Sequence, residues 1–345
     1  MEFIKRRLSS AEMGYFITHL HLLGQDRIVA APEATGPALV FAPPVYEPQI
    51  LNEGPGGCMG FAPVPGHDDA FLMITEFYPI FKSEKAGINL FRAIDGFNEP
   101  WQGKRIIDLP FVHRICVVGN GTDNYLLAAA VCGGKDFQDD WSRPGITYAA
   151  KVPEDIDGRW ELVPVMEPIH RNHGMQVGSH GGKPCVFITG DEGLFVLEVP
   201  AAGSTEWKST LVIKNPISEV YPADLDQDGE DEIAVIEPFH GTAMSVYKNI
   251  AGTWEKIYSA KLAFGHGLWA GSLGGENVVI AGNRADEKNL ACFKVTSTNP
   301  FMMEESVIDA GSGTTNMTVL DTPEGKALAT SNPGHVEYAL YIPKA

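Results

Sequence analysis

The feature that most constrains the fold is an internal repeat. The segment HGMQVGSHGGKPCVFITG, starting at His173, lies without gaps on HGLWAGSLGGENVVIAGN, starting at His266, with seven of eighteen positions identical. Each copy reads as a strand, a Gly-Gly turn and a second strand, the pattern of a tight β-hairpin. The apolar second strand recurs along the chain, around Val29, Met73, Leu127, Phe187, Ala234, Ile280 and Leu328, at intervals of 44, 54, 60, 47, 46 and 48 residues. Units of this length hold four short strands, and seven of them predict an all-β chain folded as a seven-bladed β-propeller.

The sixth unit fills with strands near His266 to Ser272, Asn277 to Gly282, Leu290 to Val295 and Glu304 to Asp309. The last unit has room for three, near Thr314 to Leu320, Lys326 to Ser331 and Val336 to Ile342. The missing fourth is available at the other end of the chain, in Glu2 to Leu8. An N-terminal strand that completes the last blade removes the remaining open sheet edge, so residues 1–345 are expected to form a single propeller domain. The wide third interval is assigned to an inserted loop at Gly133 to Gly145, and the 37 glycines and 24 prolines to the turns between strands.

Composition narrows the partners. A net charge of −18 disfavours nucleic acid and anionic lipid, and no apolar run is long enough to span a bilayer. Five scattered cysteines without a CxxC pair, and an N-terminus without a secretory pattern, read as a cytoplasmic protein with buried thiols. No GxSxG, Walker, HExxH or dinucleotide fingerprint occurs, which argues against nucleophilic hydrolysis and nucleotide chemistry.

Two constellations carry chemistry. The first is DLDQDGEDE, in which Asp224, Asp226, Asp228 and Glu232 alternate around Gly229 as the oxygen ligands of a structural calcium ion would. The loop resembles the D-x-D-x-D-G-x-x-D motif of the FG-GAP/VCBS-type propellers related to the integrin head, with Glu232 where that family has Asp. The resemblance implies one calcium loop between the first and second strands of a blade.

The second is a set of histidines at one place in the repeat. His113, His173 and His266 each stand fourteen residues before the centre of their second strand, which puts three imidazoles at the start of three innermost strands. In a propeller that level faces the central channel, and the ends of the second strands reach the same face. Glu76, Asp191, Glu237 with His240, Asn283 with Arg284, and Asn332 with His335 are therefore expected there as well, with Phe77, Tyr78 and Phe239 at the mouth. His113, His173 and His266 are candidates for a zinc, magnesium or manganese site. His173, His266, His240, Arg284 and His335 are candidates for catalysis, and Glu237, Asn283 and Asn332 for substrate binding.

Such a funnel suits proton abstraction next to a carbonyl or carboxylate followed by loss of an oxygen substituent. The stretch from His266 to Arg284 also resembles the propeller of aldos-2-ulose dehydratase-type proteins, and the architecture is similar to that of the propeller polysaccharide lyases. The resemblance implies a metal-assisted lyase or dehydratase acting on a small sugar or uronide. The alternative from another class is a non-catalytic, calcium-stabilised propeller that binds a protein or glycan.

Overall fold

The computed structural model describes residues 1–79 and 82–344. These form seven four-stranded antiparallel sheets. Six are made of consecutive strands: Gly14–Leu22 to Pro48–Asn52, Phe61–Val64 to Gln102–Asp108, Val112–Gly119 to Val163–Pro164, Met175–His180 to Lys208–Ile213, Glu219–Ala223 to Thr253–Lys261, and Gly265–Leu273 to Phe301–Asp309. The seventh joins Asn316–Thr322, Gly325–Asn332 and Glu337–Pro343 to the N-terminal strand Phe3–Ser10, which pairs antiparallel with Glu337–Pro343. The architecture is an all-β, seven-bladed propeller closed by its N-terminal strand. Among the described residues the only helical element is a single 3₁₀ turn, Ser83–Lys85.

The second strand of each blade explains why the repeat is visible in the sequence. Successive strand residues point to opposite faces of a sheet, and here both faces are covered by neighbouring blades. Ile28 and Ala30 pack into the interface with the seventh blade, whereas Val29 and Ala31 pack into the interface with the second. All four are fully buried, so the run is continuously apolar instead of alternating. Outer strands have one covered edge and little burial, as in Lys208–Ile213, and their sequences carry a weaker signal.

The repeated hairpins close as expected. His180 pairs with Lys183 and Leu273 with Glu276. The turn glycines Gly181, Gly182, Gly274 and Gly275 have φ of 57°, 73°, 60° and 82°, the consecutive left-handed conformations that glycine adopts without steric cost. The third interval is wide for two reasons. Besides the loop at 133–145, residues 152–162 form a second excursion before an outer strand of only two residues, Val163–Pro164. All five cysteines are free, and no helix of the described residues is long and apolar enough to cross a membrane.

Candidate functional site

The innermost strands surround the central channel, and local irregularities at their beginnings turn selected side chains into it. The first and second strands slip register between Val112 and Arg114, between Gly265 and Leu268, and between Gly14 and Phe16. His113 and Tyr15 are the residues left unpaired in their slips, and His266 stands within the slip between Gly265 and Leu268. Bulges of this kind re-aim a side chain. His173 enters just ahead of its strand, tied by its backbone N–H to the Thr189 carbonyl at 3.0 Å.

These groups meet in one cavity of about 470 Å³, whose wall includes Tyr15, Glu33, His113, His173, His240, His266 and Arg284. The His113 and His173 rings are 4.5 Å apart, those of His173 and His240 5.1 Å, and those of His240 and His266 5.0 Å. His240 reaches the cluster from the turn after the fifth blade's second strand, at φ 46°, with its ring stacked on Phe239 at 4.0 Å. Phe77, Phe239, Phe264 and Trp141 supply the apolar part of the wall.

Three of the imidazoles are held neutral at pH 7. Burial, followed by the charge of Arg114, puts His113 well below the ordinary histidine value. Burial and then His240 do the same to His266, and burial and then His173 bring His240 down to about 2. Neutral imidazole is the form that ligates metals. The Nδ1 of His266 donates to the Thr315 carbonyl at 2.6 Å, which leaves Nε2 as an acceptor for the Tyr15 hydroxyl at 3.3 Å. His240 Nε2 and His113 Nδ1 are buried without any partner. Buried polar atoms are nearly always paired, so these two nitrogens are open to a partner from outside the chain.

One ring nitrogen each from His173, His240 and His266 lies within 4.8 Å of the others. A set of three imidazoles with room for a further ligand fits zinc. It is a poor match for magnesium, which takes oxygen ligands. The metal-compatible triad thus contains His240 in place of His113, which lines the same cavity beside His173.

The structure does not bring every expected residue to this site. Glu237 is still inside its strand and turns outward along the blade, where Asn215, Ser245, Tyr247 and Lys256 bind its carboxylate. Asn283 accepts from the Ala263 N–H at 2.7 Å and donates to the Asn289 carbonyl, bracing two turns. Asn332 is held by Thr314 and Tyr341, and His335 faces Asp309 at 3.3 Å between the last two blades. Glu76 pairs with Arg105 and Asp191 with Arg171. Tyr78 is exposed. Residues just past the strand end, Glu33, Phe77, His240 and Arg284, are the ones that reach the cavity.

The sequence reading missed Tyr15, Met59 and Glu33, and the part of the 133–145 loop that folds over the funnel. The signal for two of them was present. Tyr15 stands fourteen residues before Val29 and Met59 fourteen before Met73, the same offset that marked the histidines, and both line the cavity. From the loop come Lys135, whose ammonium lies 3.2 Å from the Trp141 ring centre, and Trp141 itself, edge-on to Phe239 at 5.1 Å.

The carboxylate loop is formed, but its centre holds a side chain. Lys248, from the third strand of the same blade, Ala243–Ile250, donates to Asp226, Asp228 and Glu232 at 2.6, 2.7 and 2.8 Å. Asp224 accepts from the backbone N–H groups of Asp228 and Gly229. The buried Glu232 accepts from those of Leu225 and Asp226. One carboxylate oxygen each from Asp224, Asp226 and Glu232 lies within 4.8 Å of the others, as a cation site requires, and the Lys248 ammonium stands where the hard cation was expected.

No family model and no curated protein matches the sequence. Solved structures match over the whole ring. The β-propeller domain of Cps50 (Swd1) from Myceliophteria thermophila is similar with a TM-score of 0.60 and 12% identity, over 99% of this chain and 100% of that one. BBS1N, crystallised in complex with ARL6DN, gives a TM-score of 0.60 and 13% identity over 100% and 97%. A protein named as a candidate 6-phosphogluconolactonase from Bacteroides fragilis gives 0.54 and 13% over 93% and 88%. The chain has the seven-bladed propeller fold. At these identities the likeness is one of fold alone.

Proposed function

We propose that the protein is a metal-dependent carbon–oxygen lyase that eliminates water or an alcohol from a small sugar acid or uronide. The observation that carries this reading is the buried cluster of His173, His240 and His266, with an orphaned ring nitrogen, opening into a ligand-sized cavity beside Arg284. A divalent ion held there supplies Lewis-acid polarisation of a carbonyl or carboxylate oxygen. The guanidinium of Arg284 makes no hydrogen bond or ion pair among the described residues, and it has the fork geometry that binds a carboxylate with two N–H groups. Phe239, Phe264 and Trp141 offer flat apolar faces to the sugar ring.

The remaining polar groups divide into a base and an acid. Burial pushes the Glu33 carboxyl up, opposed by Arg284, which strengthens it as the acceptor of the proton on the carbon next to the substrate carboxylate. Burial raises the Tyr15 hydroxyl to about 12, so it keeps its proton at neutral pH and can give it to the departing oxygen. The C–H bond breaks toward Glu33, the C–O bond breaks toward Tyr15, and a carbon–carbon double bond forms between the two carbons.

The test joins metal analysis to an elimination assay. Protein stripped with chelator and reloaded with zinc or manganese is expected to bind one ion per chain, and to lose it in the His173→Ala/His266→Ala double variant. The loaded protein is expected to produce ultraviolet absorbance from a conjugated double bond with some member of a panel of sugar acids and uronides, and Arg284→Ala to raise KM about 10- to 100-fold. Absence of a bound ion, or an ion bound equally by the double variant, overturns the reading. Metal-free binding of an unmodified sugar in calorimetry would favour a ligand-binding propeller.

A further inference from the structure

Beneath the imidazole cluster lies a buried ion pair to which the proposed chemistry gives no role. Arg114, on the third blade's innermost strand, donates from Nη2 to Glu219 Oε1 at 2.6 Å, and Glu219 opens the fifth blade's innermost strand. The pair crosses the channel past the entry point of the fourth blade, where His173 stands. The same oxygen, Glu219 Oε1, is 3.0 Å from His173 Nδ1. The side chains are 11% and 13% exposed, and His173 is 2% exposed.

Stability alone is a weak reason for such a pair. Desolvating two charges costs several kcal/mol per ion, and apolar replacements of similar volume are often no less stable. Arg114 also leaves Nη1 buried outside hydrogen-bond geometry, with the Tyr15 hydroxyl as its other neighbour. The specific product of the pair is the state of one imidazole. The Arg114 guanidinium, a permanent cation, donates to the same oxygen that faces His173, so Glu219 meets the ring as the anionic half of an ion pair. A carboxylate can only accept, so Nδ1 of His173 carries the proton and Nε2 is left with its lone pair. The Ser218 carbonyl, 3.2 Å from the same Nδ1, imposes the same tautomer. The carbonyl is neutral, however, and cannot raise the basicity of the ring as a carboxylate does.

We infer that Glu219, fixed by Arg114, is a positioning residue that orients His173 and raises its affinity for the ion, through a carboxylate–imidazole–metal relay set in the propeller channel. The inference rests on the metal-site reading above and deepens it. His266 shows the simpler arrangement, with only the Thr315 carbonyl behind its Nδ1. The relay is therefore specific to one ligand of the three. Arg114 and Glu219 also line a second cavity of about 280 Å³ among the innermost strands, which His266 borders too. The charged pair thus stands at the wall between the channel and the funnel.

The experiment is a zinc competition titration on the full chain with a chromophoric chelator, together with thermal melts in chelator. Glu219→Gln keeps size and an acceptor but removes the charge, and is expected to weaken zinc binding about 10- to 100-fold. Removing the charge also leaves the buried Arg114 without its counter-charge, so the single variant is expected to melt lower. The Arg114→Met/Glu219→Leu double variant replaces both charges by apolar groups and is expected to melt near the wild type while showing the same loss of zinc affinity. Wild-type affinity in a folded double variant overturns the inference and assigns the orientation of His173 to the Ser218 carbonyl. No zinc binding by the wild type overturns the metal-site reading itself, a different outcome read in the same titration.

Discussion

Tyr15 and the histidines show how one position in a repeat becomes a site. Tyr15, His113, His173 and His266 enter the channel at equivalent points of four blades, and their chemistry differs only in the side chain attached. The hydroxyl of Tyr15 lies against His266 Nε2, beside the proposed ion and within the field of Arg114, Glu33 and Arg284. Tyr15→Phe removes one oxygen and leaves the backbone pairing of the innermost strand in place. The variant is expected to bind zinc as the wild type does, to keep KM within a few-fold, and to lose about 10²- to 10⁴-fold in kcat. Equal loss of zinc and activity would mean that the hydroxyl serves the ligand shell and not the proton. The histidines were legible in the sequence because a fixed offset from an apolar run survives divergence. Glu237, Asn283 and Asn332 were misplaced because periodicity locates the end of a strand only to within a residue or two. At that distance a side chain turns from the funnel to the flank of the blade.

At the scale of the element, the fifth blade's carboxylate loop shows what a motif cannot say about its own contents. The alternating acids, the turn at Gly229 with φ 93° and the backbone wrap around Asp224 are all visible in nine residues. Lys248 is not, because it arrives from the third strand sixteen residues after Glu232. Burial opposes the charge of Lys248, yet its three carboxylate bonds win and hold its ammonium far above the ordinary lysine range. It therefore stays charged at neutral pH. Calcium or chelator is expected to leave the melting temperature of the wild type unchanged. Lys248→Met strands Asp226, Asp228 and the buried Glu232 together, and is expected to cost about 1.5–3 kcal/mol in the absence of metal. Asp226 already has one oxygen without a partner, so the variant should recover on adding calcium and bind terbium with sensitised luminescence. A calcium-dependent melting temperature in the wild type would show that the lysine yields its place.

At the scale of the whole molecule the ring depends on one strand from the far end of the chain. Phe3–Ser10 pairs along Glu337–Pro343 with a single slip between Arg7 and Ser9. Polar contacts anchor it to two blades at once: Lys5 reaches Glu337 at 2.6 Å in its own blade and Asp309 at 2.7 Å in the sixth. Tyr341 donates to the same Asp309 at 2.6 Å. Closure was legible because a three-strand seventh unit leaves one strand short and Glu2 to Leu8 reads as a strand ahead of the first unit. The polar lock was not legible, since Lys5, Asp309 and Tyr341 are scattered over the whole length and meet only when the ring closes. Burial pushes the Asp309 carboxyl up, but the bonds from Lys5 and Tyr341 outweigh it and leave it below its ordinary value of 3.8. A carboxyl lowered in the folded state contributes stability that is fully present above the unfolded value and lost as pH falls through the folded one. Acidification below about pH 4 is therefore expected to weaken the closure. Asp309→Asn should show the loss already at neutral pH and a flatter acid limb in thermal melts, whereas Lys294→Gln, which breaks a surface pair with Glu276 in the sixth blade, should leave both unchanged. Hydrogen exchange separates closure from global unfolding, because loss of the lock exposes the amides of Phe3–Ser10 and Glu337–Pro343 before those of the buried second strands. Uniform exchange across all seven blades would place the weak point of the ring elsewhere.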